Sequence, residues 1–275
     1  MKYTQGAFKM DINNWLEWKK KHFNRFQKID EVDTVKALDE IENTVYAFLK
    51  LYGFRKYGRT LHRFVSEDIS QVIHFQSGMP LDGMAGFFCV NLGIRVPECA
   101  ERSFEIQNAK KKYYHEYECT IRSRLGIVIG KGEICYDLLK DRNAITEDIL
   151  RQIKETVLPA FEVLSSREAI LAHRREYPLF DNMRSLIALE ECMIFGHLGD
   201  MKQAKERFEA YYQSRVDEYN DAMINGRKQY LRKGETLVYM DQQITAEKDG
   251  YVTVYGATHT HIDYLDKLAE RLQLR

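Results

Sequence analysis

Residues 71–97, with the sequence QVIHFQSGMPLDGMAGFFCVNLGIRVP, constrain the fold of this chain more than any other stretch. Two runs of β-branched and aromatic residues flank a loop that contains three glycines and a proline. In the second run, Val90, Leu92 and Ile94 fall on one side of a strand and Asn91 on the other, because strand side chains alternate between faces. This alternation predicts two antiparallel strands with one face on a core and the other face more polar.

Further elements flank these strands on both sides. Apolar residues three and four apart predict a helix over residues 33–52, which Gly53 ends. Residues 54–65 favour a strand or a strand pair, and residues 119–125 alternate as a third sheet strand. The sequence therefore predicts an α+β fold in which one antiparallel sheet, roughly residues 54–140, packs against helices at residues 33–52 and 146–175.

The helical signals after the sheet are more specific. Thr146 is predicted to cap a helix, because Glu147 and Asp148 would follow in its first turn. Pro159 should kink or break that helix. Ser165 and Glu168 have the spacing of a capping box and predict a new helix start.

The C-terminal part is predicted to be mainly helical. It contains an αα-hairpin, with helices at 179–195 and 200–212, a strand at 251–255 and a closing helix at 261–274. With a basic amphipathic helix near the N-terminus, the chain is predicted to have three parts, residues 1–30, 31–175 and 176–275.

The N-terminal helix, residues 11–28, concentrates basic residues around Lys19–Lys21. It is either a contact for a membrane surface or nucleic acid, or a solvated face of a terminal helix. Lysine plus arginine number 41, as do aspartate plus glutamate, and this balance argues against a nucleic-acid-binding protein. We find neither an apolar signal core nor a run long enough to span a bilayer, so we expect a cytoplasmic protein.

The five cysteines are odd in number and form no CxxC pair. This pattern predicts reduced, packed thiols rather than a disulfide framework or a zinc module. Walker, Rossmann, GxSxG and HExxH motifs are absent from the sequence, so we expect no cofactor. The nearest approach to a metal motif is His259 and His261 with Asp263; a strand would place both imidazoles on one face, but no further ligand is evident. We expect a strand-to-helix junction there and no tightly bound transition metal.

The candidate binding site lies on the predicted polar face of the sheet. Pairing of the three central strands would bring five residues together there: His74, Gln76, Asn91, Arg122 and Arg124. Guanidinium groups suit bidentate contact with anions, so the face could bind a carboxylate, a phosphate or an acidic partner peptide. Alternatively, helices cover this face and the arginines pair with nearby carboxylates.

The strand motifs carry a family resemblance. The FQSG turn, the VNLGI strand with its following proline, and IRSRLG resemble the bacterial domain-of-unknown-function family numbered 4304, over roughly residues 31–170. This resemblance implies a small α+β domain with an antiparallel sheet. It implies no activity, cofactor or catalytic residue, and some members resemble stand-alone immunity or interaction proteins.

We therefore predict a soluble bacterial protein that binds a partner rather than catalysing a reaction, and an immunity protein is the most specific form of this prediction. Its partner would be a protein or a small anionic ligand, and nucleic acid is not expected. The alternative is a small-molecule or nucleotide-processing enzyme that uses the same face. A deep pocket with converging titratable groups would favour the enzyme, and a flat surface the interaction protein.

Overall fold

The computed structural model describes residues 32–78, 86–99, 111–132, 135–178, 180, 186–239, 242–257 and 259–275. The predicted basic helix at residues 11–28 lies outside this part of the chain. The described residues form two compact units, one within residues 32–180 and the other within residues 186–275. The three-part division at residues 30 and 175 stays a prediction.

The first unit begins with helix α1, Thr34–Leu49. Asp33 caps it, because its carboxylate accepts a hydrogen bond of 2.9 Å from the Lys36 N–H. The apolar stripe that predicted this helix is buried, as in Leu38, Ile41 and Val45. A 3₁₀ turn, Lys50–Tyr52, follows, and Gly53 ends it in the left-handed conformation at φ 82°. The predicted helix is confirmed.

The sheet of the first unit is antiparallel throughout its described pairs. Its strands β1 to β5 are neighbours in chain order, and a sixth short strand, β6, also pairs with β4. The strands are β1 Arg55–Tyr57, β2 Thr60–Phe64, β3 Ser70–Ser77, β4 Phe87–Arg95, β5 Ile121–Arg124 and β6 Tyr136–Asp137. The predicted fold class, α+β with an antiparallel sheet, is confirmed.

One face of this sheet belongs to the core. Ile73 lies opposite Leu92, and Phe75 lies opposite Val90. All four side chains are buried. The alternation in the sequence therefore identified the core face correctly.

Helix α2, Leu125–Val128, lies between β5 and β6, and helices α3 Arg142–Gln152 and α4 Leu158–Val163 follow β6. Helix α4 lies against the core face of the sheet. The Phe161 ring stacks near Phe54 at a centroid distance of 6.4 Å, and the Gln71 amide donates to the Phe161 carbonyl. The Arg63 guanidinium, on the same face, contacts the Glu162 carboxylate at 2.6 Å.

Two predicted helix starts are wrong in position. Helix α3 begins at Arg142, because Asp141 accepts hydrogen bonds from the N–H groups of Asn143 and Ala144. Thr146 lies inside the helix, where its hydroxyl donates to the Arg142 carbonyl. Asp is a stronger N-cap than Thr, so the earlier residue takes the role.

The next helix, α5 Arg167–His173, starts one residue later than predicted. Ser166, rather than Ser165, accepts the capping hydrogen bond from the Ala169 N–H, at 3.1 Å. Pro159 does not break the helical run before it. The five residues Ile153–Val157 form a π-helical turn there, and this wider turn accommodates the ring and the missing N–H of the proline.

The second unit contains the predicted αα-hairpin, formed by α6 Ile187–His197 and α7 Met201–Ile224. Two small antiparallel sheets follow, made of β7 Arg227–Leu231 with β10 Gly250–Val254, and of β8 Thr236–Tyr239 with β9 Gln242–Thr245. Helix α8, Thr260–Leu272, closes the chain. Of these four strands, only β10 was predicted. None of the helices in the described ranges has the length and apolar character needed to cross a bilayer.

Candidate binding cavity on the polar sheet face

The strand register places the five predicted site residues on the sheet face opposite the core. His74 lies opposite Asn91, Asn91 lies opposite Arg124, and Arg122 lies opposite Gly93. Gln76 falls on the same face because it is two residues from His74. Directly paired residues of antiparallel strands project to one side, so these side chains share a surface.

Residues 111–120, which contain the 3₁₀ turn Glu116–Glu118, cover one half of this face; we call them the covering segment. It lies so close to β4 that a methyl group at Gly93 would sit 2.6 Å from the Cys119 sulfur. Arg122 belongs to this covered half. Its guanidinium donates to the Tyr117 carbonyl at 3.2 Å and lies 3.7 Å from the Glu116 carboxylate. For Arg122, the structure matches the alternative in which the arginine pairs within the chain.

The other half of the face forms a cavity of about 440 Å³. Three predicted site residues line it: His74, Gln76 and Arg124. The remaining lining residues are Arg59, Phe75, Ser77, Gly78, Phe87, Phe88, Cys89 and Cys135. Asn91 does not line the cavity, but its amide donates to the Gln76 side-chain oxygen at 2.8 Å and so fixes the orientation of that amide.

The cavity lies at an interruption in the strand beside β4. Strand β5 ends at Arg124, and the chain returns to the same edge of β4 as β6, with Tyr136 opposite Phe88. The cavity is lined by the last residue of β5 and by Cys135, which directly precedes β6. Sequence reasoning missed β6, since two residues are too few to show a strand period.

Cys89 and Cys135 form a disulfide, with Cα atoms 4.7 Å apart. The prediction of reduced thiols is therefore wrong for this pair, and Cys99, Cys119 and Cys192 are buried thiols. Continuing the β4–β6 register by one residue puts Cys135 opposite Cys89, and this explains the pairing. The two cysteines are 46 positions apart, and the sequence between them contains no motif that would have revealed the pairing.

Arg59 lines the cavity but was not among the predicted site residues. It lies in the turn between β1 and β2, next to Thr60, which pairs with His74. Its guanidinium is held by two carboxylates of α1, Asp39 at 2.9 Å and Glu42 at 3.1 Å. Burial raises the pKa of Glu42 above its ordinary value, although Lys56 and Arg59 act in the opposite direction.

His74 has a lowered pKa in the folded protein. Burial of the imidazole is the main cause, and electrostatic interactions with His115 and Arg59 lower the pKa further. At neutral pH the cavity therefore contains an uncharged imidazole, and its positive charge comes from the arginines.

This lowered pKa predicts how stability depends on pH. The unfolded chain binds a proton at His74 more tightly than the folded protein, so the stabilising contribution is present above the unfolded pKa and is lost as pH falls through the folded pKa. We expect the free energy of unfolding to fall between about pH 7 and pH 5, and to fall less steeply in His74→Gln. Urea unfolding across this range measures both slopes, and equal slopes would contradict the assignment.

The histidines of the metal hypothesis lie in the second unit. Helix α8 begins at Thr260, between His259 and His261, so the two imidazoles do not alternate along a strand. His259 pairs with Asp263 at 2.6 Å, and His261 lies 3.4 Å from the Tyr211 hydroxyl. Across the described ranges, the structure shows no group of three or more histidine, cysteine or acidic residues that could hold a metal ion.

The first unit is an α+β domain with a ligand-sized cavity on the polar face of its sheet. Residues 45–163 match the family model described as domain of unknown function (DUF4304), and this confirms the resemblance over that segment, which is less than half of the chain. The matched segment extends from α1 to the end of α4 and contains the whole cavity. No curated protein and no solved structure matches the chain.

Proposed function

We propose that this protein is a non-enzymatic binding protein whose cavity accepts an organic carboxylate. The observation that carries the proposal is the position of Arg124, which lines the cavity together with Gln76 and His74. A planar guanidinium binds a carboxylate through two parallel hydrogen bonds, and an amide of fixed orientation adds directional contacts.

The other cavity walls support a ligand with an apolar body. Phe87 and the Cys89–Cys135 disulfide face the same space as Arg124. A volume of about 440 Å³ lies within the usual range of small-molecule sites. These walls favour an organic acid over inorganic phosphate, which has no apolar part to bury.

The interaction form of this proposal replaces the small acid with a protein partner. An aspartate or glutamate side chain of the partner would then enter the cavity and meet Arg124. The predicted immunity-type role belongs to this form, in which the partner would be a toxin. Both forms predict that added salt weakens binding, because the attraction involves a charge that solvent reaches.

One observation favours the enzyme alternative. His74 is uncharged at neutral pH and lines the cavity, as a general base would. A catalytic role would appear as turnover that disappears in His74→Gln while ligand affinity persists. Ligand binding without turnover, in the unsubstituted protein as well as in His74→Gln, favours the non-enzymatic proposal.

Titration with benzoate, monitored by amide chemical shifts, tests the proposal. We expect Arg124→Gln to raise the benzoate Kd by about tenfold or more, because a hydrogen bond to a charged group contributes about 1.5–3 kcal/mol. Arg122→Gln is the matched control, since Arg122 lies on the same strand but contacts the covering segment. We expect it to change the Kd less than about twofold, within the usual effect of a surface change.

Two further titrations separate the forms of the proposal. Inorganic phosphate should bind more weakly than benzoate if the apolar walls contribute. A glutamate-rich peptide that binds in an Arg124-dependent way, when benzoate does not, would favour the protein partner. An unchanged affinity for every probe in Arg124→Gln would contradict the proposal.

A further inference from the structure

We propose that the Cys89–Cys135 disulfide is a thiol–disulfide exchange site, and that its reaction partner is a small thiol that carries a carboxylate. This inference rests on the proposed function, because Arg124 would hold the carboxylate of the incoming thiol. It adds a reactive group, a direction of attack and a substrate class to the same cavity.

Access to the disulfide comes from the cavity. Both cysteines line it, so a molecule that occupies the cavity lies beside the disulfide. Cys89 lies within β4 and is 7% exposed, whereas Cys135 is half-buried. Exchange requires a thiolate to reach one sulfur of the bond, and Cys135 is the more exposed of the two residues.

The backbone around Cys135 can change conformation more easily than the backbone around Cys89. Strand β4 is the centre of the sheet and pairs with β3 along eight residues. Strand β6 contributes only the pairs of Tyr136 and Asp137 with β4. A new group on Cys135 therefore disturbs two residue pairs, while the same group on Cys89 would disturb the core strand.

The polar lining of the cavity selects the kind of thiol. Arg124 and Gln76 line the same cavity as the disulfide, so a thiol anchored by its carboxylate is held beside the sulfur atoms. Holding two reacting groups together raises the rate in proportion to the effective concentration. The thiolate of a neutral thiol lacks the carboxylate that Arg124 would hold, and the ammonium group of a cationic thiol is repelled by the guanidinium.

The exchange is balanced in two steps. The incoming thiolate attacks the Cys135 sulfur, the Cys89–Cys135 bond breaks, and Cys89 leaves as a thiolate that takes a proton from water. The product is a mixed disulfide at Cys135. A second molecule of the same thiol then attacks the mixed disulfide, which releases the small disulfide and leaves two protein thiols. The two small thiols are oxidised, and the protein disulfide is reduced.

Three small thiols of similar size test this inference on the full-length protein purified without reductant. They are 3-mercaptopropionate, which is anionic, 2-mercaptoethanol, which is neutral, and cysteamine, which is cationic. Mixed disulfides are trapped by acid and counted by mass spectrometry. Each rate is divided by the rate of the same thiol with hydroxyethyl disulfide, so that intrinsic reactivity cancels.

We expect the corrected rate of 3-mercaptopropionate to exceed that of 2-mercaptoethanol by about tenfold, the factor that one charge-assisted contact supplies. Arg124→Gln should reduce this preference to about unity, while Arg122→Gln should keep the preference. The adduct should map to Cys135.

Three results would overturn the inference: five free thiols in the purified protein, equal corrected rates for the three thiols, or an anionic preference that survives in Arg124→Gln. Benzoate binding distinguishes a failure of this inference from a failure of the proposed function. If benzoate binds in an Arg124-dependent way but the thiol preference is absent, the cavity binds carboxylates and the exchange site is wrong. If benzoate does not bind and the preference is absent, both proposals are wrong.

Discussion

Truncating Leu92 to alanine is expected to lower the free energy of unfolding by about 2–5 kcal/mol. Leu92 lies in the middle of β4, opposite Ile73 on one side and Ser123 on the other, and its side chain is 0% exposed. The truncation removes buried methyl groups from the core. It leaves a cavity that β4, which is paired with a neighbouring strand on each edge, cannot move to fill. Urea unfolding followed by circular dichroism measures the change.

Leu51→Ala is the matched control for this substitution. Leu51 lies in the 3₁₀ turn after α1 and is 82% exposed, so the same truncation removes no core contact. We expect it to change stability by less than about 0.5 kcal/mol. A loss below about 1 kcal/mol in Leu92→Ala would mean that the two faces of the sheet are assigned the wrong way round.

Replacing Arg167 by leucine is expected to lower the free energy of unfolding by about 3 kcal/mol. Arg167, the first residue of α5, makes paired hydrogen bonds to two carboxylates, Asp68 and Glu98, at distances of 2.8–3.1 Å. Its side chain is 12% exposed, and that of Glu98 is 7% exposed. The substitution would leave the Glu98 charge buried without this guanidinium, and desolvation of a buried charge is costly.

Arg142→Leu controls for the loss of an arginine at the first position of a helix. Arg142 starts α3 and pairs with Glu40 at 3.0 Å, but both side chains are about half exposed. Exposed ion pairs of this kind contribute about 0–1 kcal/mol, so we expect a small change. Equal losses in the two variants would contradict the role given to burial at Arg167. Recovery of stability in Arg167→Leu with Glu98→Gln would support that role, because the second change removes the buried charge.

The sheet could be predicted because its central strands carry an unambiguous alternation. Val90, Leu92 and Ile94 alternate with more polar or smaller residues, and only one strand register buries them all. The same rule placed His74, Asn91 and Arg124 on the opposite face. Helix α1 was equally clear, since its apolar stripe and Gly53 agree.

The contents of the polar face could not be predicted, because local periodicity does not show which segment crosses a sheet. The covering segment, residues 111–120, has no extended helix or strand period, yet it contacts Arg122 and so occupies part of the predicted site. Arg59 reaches the cavity from a turn, where sequence patterns give no facing direction. Cys135 reaches it only through the two-residue strand β6.

A crystal structure with 3-bromobenzoate tests the proposed carboxylate site most directly. Anomalous scattering from bromine locates the ligand independently of the surrounding side chains. We expect a bromine peak inside the cavity between Phe87 and the disulfide, with the carboxylate within about 3 Å of the Arg124 guanidinium, and no peak in Arg124→Gln crystals grown in the same way. A saturated crystal whose cavity contains only solvent, or whose ligand contacts Arg122 beside the covering segment, would contradict the carboxylate site.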